Sequence, residues 1–336
     1  MANLNSGVVQ LSELGNGVVQ ITMRDQEYRN TFSHGLINGL YECFGAIAQN
    51  ETYKVVILTG YDNYFCSGGT KEELIRIHRR EIKFDDLDFF RIALDCKLPV
   101  ISAMQGHGIG GGFVLGLYAD LVVLSEESIY TTNFMKYGFT PGMGCTLIVP
   151  HKLGGGLGAE LMYTAENYRG KQLAERGIGF PVLPRKKVLN YAQKMAQAIA
   201  EKPRLSLITL KEHLTAELRG KLPPLIAQEV AMHEITFHQP EVAELINIRF
   251  GEGNQSSAAS LVQEKTSDEE DILTQLQSGE LSLDAAESFP LGETQNEEDI
   301  LTQLQSGEIS LDAAESFLLG ETQNEEDILT QLQSGE

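Results

Sequence analysis

The chain of 336 residues lacks most of what would place it in a membrane, on nucleic acid or around a metal ion. No apolar run approaches the roughly 20 residues that a helical span needs, so no membrane partner is expected. The opening residues Met1 to Gly7 carry neither a basic patch nor a continuous apolar stretch, so no secretory signal is expected. Only four cysteines occur, Cys43, Cys66, Cys96 and Cys145, and no two share a C-x-x-C spacing. They read as reduced thiols of a cytoplasmic protein, without a disulfide or metal framework. Cations are few, 26 Lys and Arg against 47 Asp and Glu, which argues against nucleic acid as a partner.

The acid excess is uneven. Residues 254–336 hold 20 acids and one lysine, a net −19 of the chain's −21, so the first 253 residues are close to neutral. That first part is long enough to bury a sizeable core. Val9-Gln10-Leu11 and Val18-Val19-Gln20-Ile21 alternate around Gly15-Asn16-Gly17, the pattern of a hairpin. Helical periodicity over 33–49, a strand at 55–59, a helix at 71–80, a strand at 99–104, a helix at 110–118 and a strand at 121–125 predict an α/β layered domain. A helix over 187–202 carries Val188, Tyr191, Met195 and Ile199 on one face, and 204–216 and 222–250 are helical in pattern.

The segment richest in information is Gln105-Gly106-His107-Gly108-Ile109-Gly110-Gly111-Gly112-Phe113, between the strand-like Pro99 to Met104 and an apolar helical pattern. Glycine lets the backbone approach a ligand, and a helix start leaves N–H groups free to meet negative charge. That arrangement suits a developing oxyanion. A phosphate cradle is disfavoured, since no Gly-Lys-Ser/Thr ending follows. Close packing of a helix on a sheet is the alternative use of the same glycines. A second strand, Val55 to Thr59, precedes Tyr64-Phe65-Cys66-Ser67-Gly68-Gly69-Thr70.

Together these segments resemble the crotonase (enoyl-CoA hydratase/isomerase) superfamily, in which F-x-x-G-x-D and G-x-x-x-G-G-G each supply one backbone N–H to a thioester oxygen. Arg29-Asn30-Thr31-Phe32, Ala119-Asp120-Leu121-Val122-Val123 and Gly138-Phe139-Thr140-Pro141-Gly142-Met143-Gly144 add to the resemblance, which spans roughly residues 8–250. It implies a ClpP/crotonase-type spiral of β-β-α units with a C-terminal helical region, assembled as a homotrimer or a hexamer. By position the oxyanion donors are the amides of Gly69 and Gly111.

The family's hydratases use two glutamates, and the matching positions here are Val114 and Phe134. Without carboxylates, activation of water is disfavoured. Decarboxylation needs no base, because the breaking bond itself supplies the carbanion's electrons, and an apolar lining disfavours the substrate carboxylate. Met104 to His107, Tyr130 to Met143 and Glu166 to Gly170 resemble the second enoyl-CoA-hydratase-like enzyme of polyketide β-branching cassettes. This implies decarboxylation of a 3-methylglutaconyl-type thioester on an acyl carrier protein, with no cofactor beyond the phosphopantetheine that carries the substrate. A hydratase or isomerase with unconventional acids, or an inert acyl-binding scaffold, are the rival readings. For the proton donor, position selects Lys83 and His233, with Glu73 and His78 held in reserve. The alternatives are a solvated lysine for Lys83 and a core histidine for His233. His107 is read as holding its loop, and Cys66 as wall.

Beyond residue 253 the composition changes. Residues 254–267 read as a flexible linker, and 268–336 as acidic repeats. Glu270-Asp271-Ile272-Leu273-Thr274-Gln275-Leu276 recurs with a period of 28 residues, in two full copies and a truncated third. Each copy sets Ile272, Leu273 and Leu276, or their equivalents, on one helical face, too small to bury much alone. The segments resemble motifs at the ends of modular polyketide and nonribosomal-peptide synthase proteins, which implies a tail that docks synthase modules. A solvated acidic spacer is the alternative.

Overall fold

The computed structural model describes residues 4–82 and 88–256. Lys83, the repeats and all but the first three residues of the expected linker lie outside them. The strands are β1 (Leu4–Ser6), β2 (Val9–Gly15), β3 (Val18–Met23), β4 (Val55–Thr59), β5 (Tyr64–Cys66) and β6 (Val100–Met104). They continue as β7 (His107–Ile109), β8 (Leu121–Ser125), β9 (Ile129–Thr131), β10 (Tyr168–Arg169) and β11 (Val182–Leu183). A seven-stranded sheet runs in the order β1-β2-β3-β4-β6-β8-β11, and a four-stranded sheet in the order β10-β9-β7-β5. The expected hairpin joins β2 to β3 antiparallel, and from β3 onward the larger sheet is parallel.

Period-two alternation sorts the larger sheet's side chains into two cores. Val19, Ile21, Val56, Leu58, Val100, Met104, Val122 and Leu124 join the main core, which includes residues of α1 (His34–Gln49) and α4 (Gly111–Leu117). Val18, Val55, Ile57, Ile101, Ala103 and Val123 face the other way, onto α8 (Arg185–Ala200). Both faces of the parallel strands are thus covered, which is why β4 and β6 read as continuous apolar runs. Ser33 starts α1 by accepting the N–H of Leu36 on its side chain.

Two helical expectations are corrected. The seam of α8 is Val188, Ala192, Ala196 and Ala200, whereas Tyr191 is exposed and Met195 and Ile199 are only half-buried. Small alanines at four-residue spacing let the helix lie close on the sheet, so side-chain size outweighed hydrophobicity. Residues 204–216 and 222–250 do not form separate helices. One helix, α9, runs unbroken over Arg204–Thr236 through Pro223 and Pro224, and α10 follows over Pro240–Ser256. Anchors on both sides of the proline pair, Leu218 and Leu222 before it and Glu229 and His233 after, bury the same helix and offset the usual cost of interior proline. The break falls just before Pro240, where proline at the first helical position is favoured.

Candidate active site

Strand β5 ends in a turn whose middle residue, Gly68, has φ +80°, a conformation suited to glycine. Backbone pairing pins this turn to the Arg29–Phe32 segment. Phe32 N–H donates to Gly68 O at 2.8 Å, Ser67 N–H to Asn30 O at 3.2 Å, and Thr31 bridges Gly68. Asn30 itself is fully buried, with Nδ2 donating to Met23 O at 3.1 Å and Phe65 O at 2.9 Å, and Oδ1 accepting from Asp25 N–H at 2.8 Å. After Gly69, Thr70 caps α2 (Lys71–His78) by accepting the N–H of Glu73.

The second glycine loop leaves β7 and enters α4 through Gly110, whose N–H donates to Thr131 O at 2.8 Å. The loops touch. A Cβ on Gly68 would lie 2.6 Å from Ile109 O and 3.3 Å from Gly111 N, and one on Gly112 would lie 2.1 Å from Cys66 O. Gly112 therefore serves close packing, so both uses of the glycine run coexist. The N–H groups of Gly69 and Gly111 donate to no acceptor among the described residues. Two unpaired amides, each at or just before a helix start, can donate to one anionic oxygen.

Apolar groups surround Gly111, where a Cβ would sit 2.7 Å from both Met143 Sδ and Phe32 Cε2. Val114 is fully buried and Phe134 nearly so, and neither position offers a carboxylate. Met143 has a left-handed φ of +64°, and its carbonyl accepts from Tyr118 Oη at 2.7 Å. Next to it, Glu229 of α9 accepts from Gly144 N–H at 2.7 Å, Thr146 N–H at 2.9 Å and Thr146 Oγ1 at 2.6 Å. Burial pushes the Glu229 carboxyl above the ordinary range, and these donors pull it partway back. Glu229 and its capping of α5 (Cys145–Leu153) escaped sequence reasoning.

One turn along α9, His233 is buried edge-on to Phe139, at 6.2 Å between ring centroids, and to Phe237, at 5.7 Å. A carbonyl can only accept, so its Nε2–H donates to Thr140 O at 2.8 Å. The segment Phe139 to Met143 thus runs from His233 to Gly111, tying two expected site residues together. Lys83 is outside the described residues. Glu73 is buried on the first turn of α2, bonded to Thr70 Oγ1 at 3.1 Å, with burial raising its carboxyl. His78 lies at the other end of α2, its Nε2 donating to Gln239 O at 3.1 Å. His107 Nδ1 accepts from Ile129 N–H at 2.9 Å, and burial, aided by Arg185 and Arg169, lowers its pKa to about 4. It holds its loop as a neutral ring. Burial pushes the Cys66 thiol up to about 12, and its Sγ donates to Asn30 O at 3.0 Å, as suits a wall residue.

Two packed sheets and paired glycine turns that leave amides open define a crotonase-type protein. Residues 13–256 match the enoyl-CoA hydratase/isomerase family, and the chain belongs to it. Among its relatives is the bacillaene synthase decarboxylase PksI of Bacillus subtilis (strain 168), 56% identical over 248 residues, which are 74% of this chain and 100% of PksI. The solved ECH2 decarboxylase domain of CurF from Lyngbya majuscula is 58% identical, with a TM-score of 0.71 over 73% of this chain and 100% of that one. A structure from a dehydratase/decarboxylase couple of polyketide β-branching is 57% identical, with a TM-score of 0.71 over 72% of this chain and 96% of that one. No helix among the described residues is long and apolar enough to cross a membrane.

Proposed function

We propose that this chain is a decarboxylase of polyketide β-branching, acting on a 3-methylglutaconyl-type thioester carried by an acyl carrier protein. The observation that carries the reading is that the Gly69 and Gly111 amides are open while the two positions expected to hold glutamates are the buried, apolar Val114 and Phe134. The likeness to decarboxylases over nearly their whole length supports it. The bond from carbon to carboxylate breaks, carbon dioxide leaves, and the electron pair delocalises onto the thioester oxygen held by the two amides. Apolar walls favour this spread charge over the compact carboxylate. A proton then reaches the α or γ carbon.

His233 is the donor in this reading, with Lys83 as the second candidate. The Thr140 carbonyl holds His233 Nε2–H and so sets the orientation of the ring. No metal or redox group is required, since the phosphopantetheine arm arrives with the substrate. Leu205, Leu210, Leu214 and Ile235 are exposed on α9, which supports burial of that helix between subunits of a trimer or hexamer. The acidic repeats would dock synthase modules, several copies raising the effective concentration.

Turnover of a carrier-linked 3-methylglutaconyl substrate, followed by mass spectrometry, tests the reading. Loss of carbon dioxide supports it. Hydration or isomerisation would replace it with the family's older chemistry, and an unchanged acyl chain would leave a binding scaffold.

A further inference from the structure

Helix α2 ends in an unusual turn. Arg80 N–H donates to Ile77 O at 2.9 Å and Glu81 N–H to Arg76 O at 2.9 Å, the paired closing bonds whose left-handed residue is normally glycine. Here that residue is Arg80, with φ +63°. A side chain in this conformation is strained, and such strain persists only where surrounding contacts hold it.

The contact is close by. Arg80 Nη1 pairs with Glu234 Oε2 at 2.5 Å, next in sequence to His233 on α9. Two more bonds join the same elements. His78 Nε2–H donates to Gln239 O at 3.1 Å, and His238 Nδ1–H donates to His78 O at 3.0 Å. His238 Nε2 then faces Glu234 Oε2 at 3.8 Å, and Gln239 Nε2 returns to Ile235 O at 2.7 Å. The first three of these links run between the end of α2 and the elbow from α9 to α10, and the last two brace the elbow itself. The other end of α2 begins at Thr70, directly after Gly69.

We propose that Arg80, Glu234, His78 and His238 form a latch that fixes α2 against the His233-bearing end of α9. They are positioning residues: none is placed on the acyl group, and each acts by holding Gly69 and His233 in one frame. The inference rests on the decarboxylase reading for its catalytic consequence, while the latch itself is a statement about two elements of the chain.

Arg80→Gly separates a latch from ordinary helix packing. Glycine relieves the left-handed strain, so a purely structural account expects a melting temperature equal to or above the parent's, with unchanged turnover. The latch predicts an unchanged or higher melting temperature, kcat reduced about tenfold, KM changed less than twofold and a shifted ratio of α to γ protonation. Glu234→Gln should give the same kinetic profile without the gain in melting temperature, and Arg80→Gly with Glu234→Gln should have a kcat no lower than either alone. Arg80→Lys should restore most of kcat. Hydrogen exchange provides a readout that needs no substrate: amides of 237–242 should exchange faster in Arg80→Gly than in the parent. A parent that does not decarboxylate would remove the functional reading, and unchanged exchange would remove the latch whatever the activity. Full kcat and product ratio in an active Arg80→Gly variant would overturn the positioning role.

Discussion

Gly69 and Gly111 belong to turns held by backbone bonds and close contacts, whereas Glu229 and His233 reach their partners through side chains from one 33-residue helix. The first region tolerates little. A Cβ at Gly112 would meet the Cys66 carbonyl, which no rotamer change can relax, and one at Gly111 would press on the Met143 and Phe32 side chains. The second region depends on side-chain hydrogen bonds made from a buried helix face. A backbone site suits the invariant demand of an enolate oxygen. A side-chain site suits the proton, whose destination differs between products.

The sharpest way to break this contrast is at Gly69, where a Cβ would meet nothing closer than Leu74 Cδ2 at 3.7 Å. Gly69→Ala keeps the N–H and should keep most of the turnover. Gly69→Pro removes it and should cost about 10²–10³ in kcat, the scale of one oxyanion donor, with circular dichroism checking the fold. Equal rates in the two variants would take the amide out of the mechanism.

On the side-chain wall, His233→Gln should lower kcat by about 10² and alter the α to γ ratio while substrate binding stays near the parent's, as expected on losing a proton donor. An unchanged rate and ratio would leave His233 as a core histidine holding Thr140. Glutamates restored at Val114 and Phe134 should slow decarboxylation roughly tenfold through like charge near the substrate carboxylate, without efficient hydration. A double variant as fast as the parent would move both positions out of the pocket.

Glu229 gives a smaller, pH-resolved effect. Its folded pKa is raised, so its contribution to stability is present below the unfolded carboxylate value and is lost as pH rises through the raised value. Thermal melts should show this loss in the parent and not in Glu229→Gln. Identical pH profiles would mean that the three donors, not burial, set the carboxyl. Ending the chain after Ser256 should change turnover on an isolated carrier substrate least of all, while weakening co-purification with a synthase module. Equal capture would reduce the repeats to a spacer.

The contrast also governs what could be read from sequence. Backbone sites need glycine at fixed places, so Gly68-Gly69 and Gly110-Gly111-Gly112 were visible, as was Asn30 within its short motif. The strands at 55–59 and 121–125 were legible for the same reason, since burial on both faces forces continuous apolar residues. Glu229 was not, because its partners Gly144 and Thr146 lie more than 80 residues away and nothing local marks them. The alanine seam of α8 was misread because side-chain size, decided by the packed sheet, overrode hydrophobicity, and the unbroken α9 because its buried anchors overrode the local pattern. The latch was hidden for a like reason: arginine in a glycine position shows only once the turn is seen.

On the proposed mechanism this site makes an enolate by losing carbon dioxide, with no base to make one by removing a proton. Turnover of the carrier-linked 3-methylglutaconyl substrate in deuterium oxide tests it most directly. The expected result is one deuterium in the product for each carbon dioxide lost, and none in substrate recovered before turnover. Deuterium entering the substrate ahead of carbon dioxide loss would reveal a base at work and contradict it.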